Sequence, residues 1–220
     1  MGPDHPYPAA LDDVTTVWRS LSTTTAPRNM AIFGASAGGN LTLAAVLKAK
    51  QENLPLPGAI GPATPMSDLT NAGDTFQTNA FLDNVLVAPD GDCDKRAALY
   101  TDGRDAKDPL LSPVYGDMHG FPPAILTTGT RDLLLSSTVR VHRKLRQAGV
   151  EATLQVFEGQ YTPSTYLTQV LPRRRKRSRR LLHCAQRAQH CMSRGFSRTW
   201  RGPMQTWANS MALGAASTKR

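Results

Sequence analysis

The sequence predicts an α/β fold in which helices flank a mainly parallel sheet. Apolar runs typical of strands alternate with helix-forming segments up to about residue 160, and this alternation is typical of βαβ units. Residues 161–220 contain 13 Lys and Arg but no Asp or Glu, whereas residues 1–160 contain both signs of charge. Such a change of composition predicts a boundary. We therefore expect a folded core over residues 1–160 and a basic, irregular tail over residues 161–220.

The order of the elements follows from the spacing of apolar residues. A helix that begins near Pro8 is predicted by an apolar face at helical spacing, made of Leu11, Val14, Val17, Trp18 and Leu21. The further predicted elements are a strand at 30–33, a helix at 40–50, a weak strand at 58–63, a helix around 94–100, a strand at 124–128, a helix at 136–148 and a strand at 153–157. Residues 67–111 otherwise predict loops.

A G-x-S-x-G motif joins the first strand to the helix that follows it. Residues 30–40 read Met-Ala-Ile-Phe-Gly-Ala-Ser-Ala-Gly-Gly-Asn, and in a strand–turn–helix context this motif is typical of a nucleophile elbow. We expect Gly34 and Gly38 where a Cβ would clash in the sharp turn. Ser36 is the candidate nucleophile, and the N–H of Ala37 at the helix start is the candidate oxyanion donor. A phosphate-binding loop is the alternative, although the spacing fits neither G-x-G-x-x-G nor a Walker loop.

Other segments resemble the hormone-sensitive-lipase-like α/β-hydrolases and occur in the order found in that family. They are Pro-Asp-His-Pro-Tyr-Pro-Ala-Ala-Leu-Asp-Asp at 3–13, Asp-Pro-Leu-Leu-Ser-Pro at 108–113, Phe-Pro-Pro-Ala at 121–124 and Gly-Thr-Arg-Asp-Leu-Leu at 129–134. The resemblance runs from about Pro3 to Gln160, although the family often has Asp where Ala35 stands. It implies a partial α/β-hydrolase fold and a serine esterase, lipase or lactonase. Such enzymes form an acyl-enzyme from a small-molecule ester and need no cofactor or metal.

The resemblance implies that Asp132 is the acid of a Ser-Asp-His triad. Asp132 follows the strand at 124–128 and is therefore expected at the carboxyl edge of the sheet, where sites lie in open α/β folds. Its role would be to orient the histidine and stabilise the imidazolium. Alternatively, Asp132 caps the helix that follows.

No histidine stands at the position of the triad base. The family pattern E-G-x-x-H reads Glu-Gly-Gln-Tyr-Thr at 158–162, so Thr162 stands in its place. A threonine hydroxyl does not titrate near neutral pH and cannot act as the base. His183 and His190 are alternative bases, but their spacing favours neither.

The resemblance also implies an H-G-G oxyanion motif and a cap upstream of residue 3. Because the sequence starts at Met1, we expect a truncated core that lacks the cap and first strands. We then expect Ala37 as the remaining oxyanion donor and a short sheet whose exposed edge favours association. The chain is therefore expected to be weakly active or inactive.

The tail contains an arginine-rich run at 172–180, Pro-Arg-Arg-Arg-Lys-Arg-Ser-Arg-Arg. Such runs are typical of nuclear localisation or nucleic-acid binding. A basic nucleic-acid-binding or interaction protein with a degenerate hydrolase domain is thus the alternative function, and a pseudoenzyme that binds esters is a third. The resemblance ends inside a motif, between Gln160 and Thr162. We hypothesise that residues from about Tyr161 onward are translated out of frame.

Cysteine usage and hydropathy indicate a soluble, cytoplasmic protein. The three cysteines predict no disulfide framework, which favours a reducing compartment. Cys184 and Cys191, with the two histidines nearby, fit no standard zinc spacing. No apolar run reaches the length of a membrane span, and the chain does not start with a signal-peptide pattern. Oligomeric state is left open.

Overall fold

The computed structural model describes the backbone of residues 4–87 and 92–162, and the side chains of the same residues except 92–94. The helices are α1 (Ala9–Thr24), α2 (Ala37–Gln51), α3 (Thr75–Thr78), α4 (Asp92–Thr101) and α5 (Leu135–Gln147), and the strands are β1 (Ala31–Ala35), β2 (Ala59–Ala63), β3 (Ala124–Gly129) and β4 (Ala152–Phe157). Short 3-10 turns cover Pro27–Asn29 and Pro113–Tyr115. Apart from residues 161 and 162, the basic tail lies outside the described residues.

The four strands form one parallel sheet in the order β1-β2-β3-β4. Ala31 of β1 pairs with Ala59 of β2, and Ala124 of β3 pairs with Ala152 of β4. Helix α2 packs on β1 and β2, and α5 packs on β3 and β4. The α/β fold with a parallel sheet is therefore confirmed. Because all four strands run in one direction, the loops that follow them lie along one edge of the sheet.

The weakness of the β2 prediction has a physical origin in Gly61 and Pro62. Strand β2 pairs with β1 along its whole length, but with β3 only at Ile60–Ala124 and Ala63–Thr127. Proline has no N–H to donate and glycine has no side chain to pack, so both weaken a central strand. The flanking pairs keep β2 in the sheet despite its composition.

Helix α1 buries only part of the face that the spacing predicts. Leu11 and Trp18 are buried as expected, but Val17 and Leu21 are 43% and 39% exposed. Thr15 is buried instead, and its hydroxyl donates to the carbonyl of Leu11 at 2.7 Å. That bond lets a polar residue lie in the interface, because it satisfies the hydroxyl inside the helix.

The main core lies between the sheet and helices α2 and α5. Its fully buried side chains include Leu43, Val46, Leu126, Val141 and Leu145. Nine of the 15 residues of α2 are buried, so this helix is enclosed by the fold rather than lying on its surface. None of the helices within the described residues has the length and apolar character needed to cross a membrane.

Candidate active site

Ser36 lies at the tip of a sharp turn between β1 and α2. Its backbone has φ 54° and ψ −116°, a conformation that non-glycine residues rarely adopt and that costs about 1–3 kcal/mol. Three backbone hydrogen bonds hold it there. Its N–H donates to Ala63 at 3.0 Å, and its carbonyl accepts from Asn40 at 3.0 Å and Met66 at 3.2 Å. This strained, half-buried serine has the geometry expected of a nucleophile elbow.

The turn depends on Gly34 and Gly39. A Cβ on Gly34 would lie 2.4 Å from the carbonyl oxygen of Gly38. A Cβ on Gly39 would lie 2.9 Å from both the carbonyl oxygen of Ala63 and the Cα of Pro65. The prediction that Gly38 also avoids a clash is wrong, because a Cβ there would have nothing within 4 Å. No motif in the sequence singled out Gly39, whose neighbours are the last residue of β2 and a residue of the loop after it.

Ala37 is the first residue of α2 and is exposed. The N–H groups of a first helical turn have no partner inside the helix, so the position of Ala37 is compatible with an oxyanion donor. Asn40, in the first turn of α2, connects the elbow to two neighbouring loops. Its buried side-chain amide donates to the carbonyls of Met66 at 2.7 Å and Leu111 at 2.8 Å.

Asp132 is fully buried in the loop after β3. Its Oδ2 accepts a hydrogen bond from the hydroxyl of Thr128 at 2.7 Å, and its Oδ1 accepts from the N–H of Leu134 at 2.8 Å. Its Oδ1 also accepts a hydrogen bond from the hydroxyl of Thr162. Burial raises the pKa of Asp132, the three hydrogen bonds oppose the rise, and the nearby charge of Asp83 adds to it.

The structure bears only in part on the alternative prediction that Asp132 caps helix α5. Leu134, not Asp132, is the residue that flanks α5 at its N-terminus, and it caps the helix with no side-chain hydrogen bond. The carboxylate of Asp132 closes the turn just before the helix through the Leu134 N–H. The carboxylate also accepts hydrogen bonds from Thr128 of β3 and from Thr162 in the loop after β4, so capping does not account for the whole arrangement.

Thr162, at the sequence position predicted for the triad base, lies against Asp132. It is almost fully buried, and its hydroxyl donates to the carboxylate as an imidazole N–H would. The preceding loop lies directly on the Asp132 loop. The carbonyl of Gln160 accepts from the N–H of Arg131 at 3.0 Å, and a Cβ on Gly129 would lie only 2.1 Å from that carbonyl oxygen.

The structure therefore brings Ser36, Asp132 and Thr162 to one edge of the sheet. They follow β1, β3 and β4, respectively, and the parallel strands end at the same edge. Strands β1 and β3 are separated only by β2, which corresponds to roughly 10 Å at the usual strand spacing.

Two residues of the site gave no signal in the sequence. The side-chain amide of Asn79 donates to the carbonyls of Thr130 and Asp132, each at 3.0 Å. The buried carboxylate of Asp83 accepts from the N–H groups of Leu133 and Thr162. Both lie in the stretch 67–111, where no periodicity marks a buried polar residue.

Several sequence predictions concern residues that the structure does not describe. His183 and His190, the two nearby cysteines and the arginine-rich run at 172–180 all lie outside the described residues. Within the described ranges, no group of three His, Cys, Asp or Glu side chains has the arrangement of a metal site.

Comparison with known families gives a match over most of the chain. The family described as "alpha/beta hydrolase fold" matches residues 1–162. The chain belongs to this family. Its relatives place it among the hormone-sensitive-lipase-like members, as the resemblance implied.

The relatives include enzymes from several bacteria. An "Esterase" of Acinetobacter venetianus is 30% identical over 162 residues, which cover 73% of this chain and 53% of that protein. A "Putative acetyl-hydrolase LipR" of Mycobacterium tuberculosis is 37% identical over 127 residues, covering 57% and 40%. The chain spans about half the length of the curated relatives it matches.

Solved structures agree in fold and in sequence. A crystal structure of an esterase is 44% identical with a TM-score of 0.75, and covers 85% of this chain and 55% of that one. A "Hormone-Sensitive Lipase from a Metagenome Library" is 34% identical with a TM-score of 0.70, covering 73% and 55%.

Proposed function

We propose that this chain is a carboxylic-ester hydrolase acting on short acyl esters or lactones through an acyl-enzyme on Ser36. The relatives named esterase and acetyl-hydrolase support this substrate class. Ser36 attacks the ester carbonyl, and the Ala37 N–H stabilises the oxyanion. The alcohol then leaves, and water hydrolyses the acyl group from Ser36. The proposal needs no cofactor.

Proton transfer is the step that this chain performs poorly. The Ser36 hydroxyl must lose its proton as it attacks, and a base must return a proton to the leaving alcohol. Asp132 would hold and polarise that base. The side chain at the sequence position of the base is instead that of Thr162, whose hydroxyl donates to Asp132 and stays protonated near neutral pH. We therefore propose that turnover is impaired by the residue at position 162.

The contact between Thr162 and Asp132 is the observation that carries this proposal. It supports Asp132 as the triad acid, because a buried carboxylate faces the sequence position of the missing base. It also supports a simple repair. The substitution Thr162→His would place an imidazole beside the carboxylate of Asp132. We expect an imidazole N–H to donate to Asp132 in place of the threonine hydroxyl.

Hydrolysis of p-nitrophenyl acetate tests the function directly. The unsubstituted chain should hydrolyse the ester no more than a few-fold faster than Ser36→Ala, since the Thr162 hydroxyl cannot act as a general base. Thr162→His should raise kcat/KM by about 10²–10⁴-fold, the usual contribution of a general base. Adding Ser36→Ala or Asp132→Asn should remove the gain. Equal rates with and without histidine at 162 would refute the proposed base position.

The domain limits, the location and the partners belong to the same proposal. A hydrolase core over residues 1–160 is supported by the family match, which ends at residue 162. A cytoplasmic location is supported by the odd number of cysteines, three, which favours a reducing compartment. The proposed partner is the ester itself. Nucleic-acid binding by residues 161–220 and formation of an oligomer stay predictions.

A further inference from the structure

The segment 75–87, which begins with α3, packs against the loop that carries Asp132. The hydroxyl of Thr75 donates to the carbonyl of Leu133 at 2.8 Å and accepts from the N–H of Ser136 at 2.9 Å. Asn79 adds two hydrogen bonds to carbonyls of the same loop. A stretch between β2 and β3 thus fixes the backbone around the buried carboxylate.

Asp83 is the residue of this segment that contacts two loops at once. It is 1% exposed, and its Oδ1 accepts from the N–H groups of Val85 at 2.9 Å and Leu86 at 3.1 Å. Its Oδ2 accepts from the N–H of Leu133 at 3.2 Å and from the N–H of Thr162 at 3.4 Å. The Oδ2 of Asp83 therefore joins Leu133, which follows Asp132 in the chain, to Thr162, which contacts Asp132.

We propose that Asp83 is a positioning residue that holds residue 162 opposite Asp132. This inference rests on the proposed function, because positioning matters only if Asp132 and residue 162 belong to the catalytic machinery. Asp83 acts through the backbone of residue 162, so its effect does not depend on which side chain stands there. None of the four hydrogen bonds of the Asp83 carboxylate involves Ser36.

The chemistry of the four contacts explains why a carboxylate is needed. All four partners are N–H donors, and an ionised carboxylate offers acceptors on both oxygens and no donor. An amide offers one accepting oxygen, so Asp83→Asn turns an NH₂ group toward two of the four donors. Asparagine side chains favour hydrogen bonds to their own backbone two residues further on. We therefore expect the amide oxygen to keep the turn through Val85 and Leu86 and the contact with Leu133 and Thr162 to be lost.

The surroundings of Asp83 support a specific inward placement. The two preceding residues, Phe81 and Leu82, are 78% and 50% exposed, whereas the charged side chain of Asp83 is buried. This is the reverse of the usual distribution of apolar and charged side chains. The charge of Asp83 also works against ionisation of Asp132 and raises its pKa further. The hydrogen bonds to the two loops give the physical reason for keeping it there.

Hydrogen exchange of backbone amides in the full 220-residue chain tests the contact itself. In the unsubstituted chain, the amides of Leu133 and residue 162 should be protected. In Asp83→Asn they should exchange about five- to tenfold faster, as expected for the loss of one hydrogen bond, while the amides of β3 keep their protection. Asp68→Asn is the matched control, since Asp68 is also a buried carboxylate that accepts a backbone N–H. It should leave the amides at 133 and 162 unchanged.

Kinetics in the Thr162→His chain test the functional role. Adding Asp83→Asn should lower kcat about 10- to 100-fold through misplacement of the imidazole, with KM for p-nitrophenyl acetate unchanged. A merely structural residue would lower the amount of folded enzyme and leave kcat per active site the same, which active-site titration separates.

Three results would overturn the proposal. Unprotected amides at 133 and 162 in the unsubstituted chain would do so even if Asp83→Asn failed to fold. Unchanged exchange in a folded Asp83→Asn chain would do the same. So would an unchanged kcat in the double variant while Thr162→His is active. If Thr162→His shows no turnover but Asp83→Asn still releases both amides, the positioning contact stands and the proposed function fails.

Discussion

Alanine substitution of the two glycines in the G-x-S-x-G motif should have opposite effects on stability. At Gly34 the added Cβ lies 2.4 Å from the carbonyl oxygen and 2.5 Å from the carbonyl carbon of Gly38. Both atoms belong to the backbone, so no flexible side chain can move aside. The turn must shift or α2 must separate from β1, and we expect Gly34→Ala to lower the free energy of unfolding by at least the 1–3 kcal/mol typical of overpacking, as an approximate figure.

Gly38→Ala is the matched control, because it adds the same methyl group two residues beyond Ser36. Gly38 lies in the first turn of α2, and a Cβ there meets nothing within 4 Å. Alanine is favoured over glycine in helices, so this variant should raise the free energy of unfolding by about 0.5–1 kcal/mol. The two variants thus differ in sign.

Urea denaturation followed by circular dichroism measures both effects. The slope of the transition should be similar in the three chains if only the native state changes. A Gly34→Ala chain as stable as the unsubstituted one would refute the close approach of β1 and α2 at the elbow. A Gly38→Ala chain less stable than Gly34→Ala would refute the assignment of the contact to Gly34.

Three further predictions concern the surroundings of the site and the tail. Asn40→Ala should lower the free energy of unfolding by about 1–3 kcal/mol in urea denaturation, because it leaves the part-buried carbonyl of Met66 and the buried carbonyl of Leu111 without their donor. The pH dependence of stability should change in opposite directions in two other variants. Burial alone would raise the pKa of Asp68, but hydrogen bonds from Thr70 and Arg140 outweigh it and lower that pKa. Its stabilisation is therefore present above the ordinary Asp pKa and is lost as the pH falls through the lowered value, and Asp68→Asn should remove it. Burial raises the pKa of Asp132, so its contribution is present at low pH and is lost as the pH rises through the raised value. Asp132→Asn should flatten that decline when urea denaturation is followed upward from the ordinary Asp pKa. If residues 161–220 bind nucleic acid, the full chain should bind a DNA duplex with an affinity that falls as salt rises, and a chain ending at residue 160 should not; equal binding by both in a fluorescence-anisotropy titration would contradict this.

The parts of the fold and site that the sequence predicts well are those that depend on short stretches of sequence. The elbow around Ser36 is specified within seven residues, so its strand, turn and helix were all predictable. Strand β3 and helix α5 follow from continuous apolar and periodic segments. The resemblance of residues 129–134 to the family singled out Asp132, and its position after β3 predicted the edge of the sheet at which it lies.

Features that depend on distant residues were not predictable. Thr15 is buried in place of Val17. The elements that pack against α1 determine which face is buried, and the periodicity of α1 carries no information about them. Gly39 is required by Ala63 and Pro65, which lie on another strand and its loop. Asp83 contacts Leu133 and Thr162, which lie 50 and 79 positions further along the sequence, respectively. No local pattern marks such a residue.

Covalent labelling of the Thr162→His chain with a fluorophosphonate tests the central claim most directly. Peptide mapping should place a single adduct on Ser36, and Asp132→Asn should lower the labelling rate to that of the unsubstituted chain. An adduct on a different residue, or a rate indifferent to Asp132, would contradict a nucleophile at position 36 served by a base at position 162.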